Sequence, residues 1–197
     1  MSTVPSRSRL FPLIGVVWFV VALGVGASGW LLDLAPPRPQ LLLVGLTIAL
    51  VVAGFIVPSF RAWLAVVDLR AVIAMHLTRF VGVYFLVLYA RGLLPFQFAV
   101  VGGWGDIAIA ATALAWLVLA REPTDHRGLL GLWNLCGLVD ILFVVATAAR
   151  MAMAGPASMG PLRTLPLSLL PTFLVPLIIA SHVLIVWRLY HAPYRDP

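Results

Sequence analysis

Apolar residues run through this chain in six long blocks separated by short polar connections. The blocks are Leu10–Leu32, Gln40–Phe60, Ala71–Ala90, Phe96–Ala120, Gly128–Ala149 and Leu165–Tyr190. Each is at least as long as the ~20 residues with which an α-helix crosses a hydrocarbon core of ~30 Å. The pattern predicts an all-α fold, an integral membrane bundle of six transmembrane helices forming one domain over residues 1–197. The connections are too short to hold a soluble domain. The first block follows Arg7 and Arg9 as a signal peptide would, but it is longer than a signal's apolar core and five spans follow, so it reads as a retained helix.

The blocks differ in character. The first two carry no ionisable residue in their cores and read as scaffold, the first with small residues (Ala22, Gly24, Gly26, Ser28) that permit close helix approach. Spans three to six hold the interior polarity. In the sixth, Pro166, Pro171 and Pro176 recur every five residues. Each proline removes a helical donor and frees a carbonyl upstream, which predicts a bent or broken outer half. Segment 61–70 reads as an interfacial helix or as an inward extension of the third span, with Asp68 and Arg70 as headgroup-level charges.

Composition strengthens the membrane reading. Of 197 residues, 62% are hydrophobic and 10% charged, with a mean hydropathy of +1.07; a soluble domain carries about a quarter charged residues. The net charge is +6, yet the basic residues punctuate the apolar runs rather than forming a nucleic-acid face, so no nucleic-acid partner is expected. All are arginines. The absence of lysine excludes a Schiff-base chromophore and a P-loop. The single Cys136 has no partner for an internal disulfide and reads as a small buried hydrophobe. With the N-terminus inside, eight arginines (7, 9, 61, 70, 121, 127, 188 and 195) fall on the cytoplasmic side and four (38, 91, 150 and 163) opposite. The positive-inside rule then places both termini in the cytoplasm. Trp63, Trp116, Trp187 and Tyr190 serve as inner aromatic anchors, Trp30 and Tyr89 as outer ones.

Arg79 stands out because it lies inside the third run and cannot shed its charge. His76 precedes it by three residues, on the same helix face. His76 lies six residues after Arg70, His182 six before Arg188 and Asn134 seven after Arg127. At about 1.5 Å per residue these three occupy one layer, roughly 9 Å from the cytoplasmic boundary. Asp140 and Asp106 lie near the midplane, about 20 Å in. Ionisable groups at such depth are costly and by default mark a functional site. Side chains lean toward the helix N-terminus, which makes Asp140 the better partner for Arg79 and turns Asp106 outward, protonated or facing a water-filled cavity. The plainer alternatives stand beside this: an Arg–Asp pair that fixes register, two separately satisfied histidines, and Asn134 as interhelical glue with Trp133 packing or anchoring beside it. Ser168, Thr172, Thr147 and Ser181 can bond to their own helix and carry little signal.

No Walker loop, HExxH, CxxC or G-x-S-x-G occurs. Gly102-Gly103-Trp104-Gly105-Asp106 is glycine-rich within a span, which points to local flexibility or tight packing before Asp106.

Three stretches, HLTRFVGVYFLVLYARGLLPFQFAVVGGWGDIAI, GLWNLCGLVDILFVVATAAR and LPLSLLPTFLVPLIIASHVLIVWRL, resemble a group of uncharacterised small bacterial six-span membrane proteins. The likeness covers roughly Arg70 to Leu189. It implies the topology and a bacterial inner-membrane setting, and carries no activity. One His on each of the third and sixth spans departs from the spacing of ferric-reductase-like haem domains.

Four functions compete. The leading one is a small transporter, channel or ligand- or proton-binding membrane protein whose site comprises His76, Arg79, Asp106, Asn134, Asp140 and His182, with no cofactor. The second is a redox protein holding haem b between His76 and His182. The third is an intramembrane enzyme acting on a lipid or isoprenoid, with an Asp as acid and His182 as base. The fourth is a non-catalytic assembly partner. Besides the bilayer, a homodimer or a larger membrane complex is the expected partner.

Overall fold

The computed structural model describes residues 10–191, so Arg7, Arg9 and Arg195 of the arginine asymmetry lie outside the described residues. The described residues form helices and turns with no strand. Six helices are long and apolar enough to cross a membrane: α1 (Leu10–Ala27), α2 (Arg38–Ile56), α4 (Leu69–Ala90), α5 (Gln97–Leu119), α6 (Arg127–Ala154) and α7 (Leu170–His191). Segment 61–70 belongs to neither neighbouring span except for Leu69 and Arg70, which open α4. Most of it lies in a separate short helix, α3 (Pro58–Val66), set off from α2 by extended Val57 and from α4 by extended Val67 and Asp68. Pro58 at its first turn starts the helix where no donor is needed. Asp68 then caps α4, its carboxylate accepting from the Arg70 backbone N–H at 2.9 Å.

Two faces of the bundle can be named by their arginines. The Arg70 face holds the start of α1, where Phe11 packs on Trp63, together with α3, the α5–α6 connection and the end of α7. The Arg163 face holds the α1–α2, α4–α5 and α6–α7 connections, and Arg163 Nη1 donates there to the Leu32 carbonyl at 3.3 Å. Leu10 and His191 therefore lie at the same face.

Several arginines are more than headgroup-level charges. The Arg70 guanidinium donates to the carbonyls of Leu117 and Ala120 and, at 3.2 Å, of Arg121, capping the C-terminus of α5. Arg127 donates to Leu189 O at the end of α7, and Arg188 to Leu64 O near the end of α3. The last turn of a helix exposes unpaired carbonyls and a partial negative charge, which a cation satisfies.

Helices α4 to α7 form the packed centre, with α1 and α2 at its periphery. Within α1, Ala22 and Gly26 are the buried residues, and α2 has none. The small-residue face of α1 thus narrows to these two, since Gly24 faces open space, while a Cβ on Gly26 would meet Leu165 at 2.8 Å. The prolines of the sixth span act as their chemistry requires. Residues 165–169 do not continue a straight helix, Leu170–Leu174 form a π-helical turn, and regular α-helix resumes at Val175. Pro176 cannot donate to Thr172 O, and the Trp18 indole N–H of α1 fills that vacancy at 2.9 Å. Trp116, an anchor by sequence, turns inward and is 8% exposed, whereas Cys136 is exposed on the outer side of α6 rather than buried.

Two apolar clusters flank the middle of the bundle. Toward the Arg70 face, Ile73, Ile109, Trp116, Leu130, Trp133 and Ile185 pack together. Toward the Arg163 face the cluster is built on Phe85, Phe98, Val144, Met159 and Leu167. The buried polar residues lie between them.

Candidate functional site

The middle of α4 is a 3₁₀ helix, Met75–Phe80, flanked by regular α-helix. With about 3.0 residues per turn, residues three apart eclipse one another, so His76 and Arg79 project together into the bundle. Both are buried, at 0% and 1% exposure.

Arg79 is held by three acceptors on two helices. Its Nε donates to Asp106 Oδ1 on α5 at 2.7 Å, Nη1 donates to the Gly137 carbonyl on α6 at 3.0 Å, and Nη2 donates to Asp140 Oδ2 on α6. Sequence reasoning gave Arg79 to Asp140 and turned Asp106 away, but the guanidinium takes both carboxylates. Its donors form a planar fork that reaches two helices at once. Close backbone approach brings α5 within reach: a Cβ on Gly103 would lie 3.0 Å from Gly82 O, and one on Gly82 would overlap Gly103 O. Asp106 still faces a cavity, as its outward lean predicts, although the walls of that cavity are apolar.

The imidazoles form a second group. His76 and His182 have ring centroids 4.6 Å apart, and Trp133 lies edge-on to His76 at 5.0 Å. Asn134 fixes the orientation of His182. Its amide N–H donates to the His182 carbonyl at 3.2 Å, so its oxygen accepts from His182 Nδ1–H at 2.8 Å. Ser181 donates its hydroxyl to Ile178 O at 2.7 Å and therefore accepts from His76 Nε2–H at 3.1 Å. In the neutral form of each ring these assignments make His76 Nδ1 and His182 Nε2 the bare nitrogens, and both atoms are buried without a partner.

The six residues singled out by sequence meet in this one cluster, and three more complete it. Ser181 orients His76. Gly137 leaves room for the His182 ring, since a Cβ there would sit 2.6 Å from Cε1, and it also supplies a carbonyl to Arg79. Gly105 makes space for the Asp140 carboxylate, which a Cβ would overlap. A glycine-rich run before Asp106 was the visible signal for Gly105. Gly137 carried none, because a glycine in an apolar helix says nothing of what packs on it.

The ring geometry does not fit haem. Metal–imidazole bonds of about 2 Å on either side of an iron would separate the ring centroids by about 6 Å. The observed 4.6 Å, with rings inclined at 56°, leaves no room for a porphyrin plane between them. Among the described residues no group of three or more His, Cys, Asp or Glu side chains is placed to hold a metal ion.

What the cluster can do follows from its charge. Two carboxylates face one guanidinium, a formal charge of −1 that one proton or one cation neutralises. The imidazoles, each with a bare nitrogen, are proton acceptors beside it. A cavity of about 180 Å³ runs from Arg79 and Asp106 toward the Arg163 face, between α2, α4, α5, α6 and α7.

Fold and site together define, among the described residues, an all-α bundle of six apolar helices whose interior holds an Arg–Asp–Asp group, with Asp140 half-buried, and a buried His–His pair. The chain belongs to the family described as a domain of unknown function (DUF8737), whose sequence profile matches residues 36–190. The match takes in α2 as well as the stretch from Arg70 that carries the resemblance seen in sequence. No curated protein and no solved structure matches the chain.

Proposed function

We propose that this is a multi-pass protein of a bacterial cytoplasmic membrane, both termini inside, that binds and moves a small solute or a proton through its polar core. The observation that carries this reading is the excess of negative charge on buried Arg79 and Asp106 and half-buried Asp140 at the end of a cavity. A pair that only fixed helix register needs one carboxylate for one guanidinium. The second carboxylate makes the site titratable, and the neutral imidazoles of His76 and His182 extend it toward the Arg70 face as acceptors for a proton. Insertion in a bilayer is supported by the exposed apolar side chains of the long helices, among them Leu13, Val17, Val20, Leu132 and Val139. Orientation rests on the arginine asymmetry.

Proton flux into proteoliposomes with a trapped pH-sensitive dye tests the reading, with a potassium diffusion potential as driving force. Asp106→Asn, Asp140→Asn and His182→Ala are each expected to lower flux at least tenfold. Unchanged flux in all three variants sinks the proposal.

A further inference from the structure

The cavity at Asp106 has a chemical bias that points to its occupant. Asp106 is 3% exposed and gives Oδ1 to Arg79, while Oδ2 accepts no hydrogen bond among the described residues. Gln40, on the α2 wall of the same cavity, has a buried Oε1 without a partner. Both free atoms are acceptors. The charged and hydroxyl donors of the lining are engaged: Arg79 on Asp106, Gly137 and Asp140, Arg163 on the carbonyls of Leu32 and Pro156, and Thr78 on Met75 O, while the Gln40 amide offers an N–H beside its Oε1. Unpaired acceptors in a buried site call for a donor, and the uncompensated carboxylate calls for a positive one.

The walls are set for an apolar body. Phe85 and Phe98, with ring centroids 5.0 Å apart and inclined at 48°, line the cavity beside Ile141, Val144 and Ile178. Aromatic faces attract a cation once water is excluded. A carboxylate or phosphate headgroup would meet Asp106 with like charge, and a neutral alcohol would leave the site at −1.

We propose that this cavity binds an organic ammonium ion with an apolar body, its N–H directed at Asp106 Oδ2, in exchange for one proton held by the carboxylate pair. The inference deepens the proposed function and rests on it. The exchange balances: the ammonium arrives with its charge, the carboxylate O–H proton leaves to solvent, and the site is neutral before and after. The charged and titratable groups facing Asp106 are Arg79 on α4, Asp140 on α6 and His76 and His182 behind the guanidinium. Arg163 lines the cavity farther out, and α2 contributes the uncharged Gln40.

Calorimetry of the purified full-length protein with 4-phenylbutylammonium, 4-phenylbutanol and 4-phenylbutyrate tests this. The ammonium is expected to bind at least tenfold more tightly than either analogue and to release about one proton, read from buffers of different ionisation enthalpy. Its affinity should rise up to tenfold per pH unit while the site is protonated. Asp106→Asn should lower affinity at least tenfold. Because that variant also disturbs an ion pair, Ala148→Phe, which fills the cavity away from Arg79, should do the same. Equal binding of the alcohol or the carboxylate, binding without proton release, or ammonium affinity unchanged in both variants overturns the inference. If the ammonium fails to bind while Asp106→Asn still abolishes proton flux, this inference alone falls. Flux independent of Asp106, Asp140 and His182 removes the underlying reading.

Discussion

Arg79 is the residue on which the interior depends, because it is the fixed positive charge among two carboxylates and two neutral rings. Removing one partner of a buried ion pair costs about 3–5 kcal/mol, since the remaining charge is left uncompensated. Arg79→Gln strands two carboxylates and is expected to cost at least that much, whereas Asp140→Asn leaves one guanidinium facing one carboxylate and should cost less. Unfolding in detergent, compared between the two variants, checks the order; a less stable Asp140→Asn would contradict the charge count. Gly137 is the second sensitive position. Its added Cβ at 2.6 Å from His182 Cε1 forces the ring away from Asn134, so Gly137→Ala should cost about 1–3 kcal/mol and reduce flux as His182→Ala does. Gly15→Ala, with nothing near its Cβ, is the silent control.

At the scale of elements, local departures from regular helix position the chemistry. The 3₁₀ stretch Met75–Phe80 stacks His76 over Arg79, and the π turn Leu170–Leu174 adjoins the start of regular helix in α7 at Val175. A chain reader can foresee the second from the spacing of Pro171 and Pro176, but nothing in MHLTRF announces the first. Helix ends are secured by side chains distant in sequence: Arg70 caps α5, Arg127 caps α7 and Trp18 serves the carbonyl that Pro176 frees. A partly buried cation at a helix C-terminus contributes up to about 2 kcal/mol. Arg70→Gln should therefore lower stability by about 1–2 kcal/mol and raise hydrogen exchange in the last turn of α5, leaving exchange at Asp106 unchanged. Equal acceleration along all of α5 would count against a capping role.

For the whole molecule, the six-span reading makes Cys136 a reporter of surroundings. It is exposed on α6, one residue before Gly137, near the level of the polar core. In intact membranes it should react with a lipid-soluble maleimide and resist a charged one until detergent is added. Rapid labelling by the charged reagent would place this face in water. The sequence by itself determined the helical class, the number of long apolar helices and the residues of the polar core, because block length and the rarity of buried charge are properties of single segments. It also reached the shared layer of His76, Asn134 and His182, since depth follows from a rise per residue. Tertiary structure decided which groups meet. That Arg79 takes Asp106 as well as Asp140 depends on Gly82 and Gly103 letting two backbones touch. That His182 points its bare nitrogen into the interior depends on Asn134, and that Trp116 and Cys136 exchange the surroundings expected of them depends on how each helix is rotated about its axis. Helices that are apolar on every side carry no record of that rotation in their periodicity, so contacts between helices had to supply it.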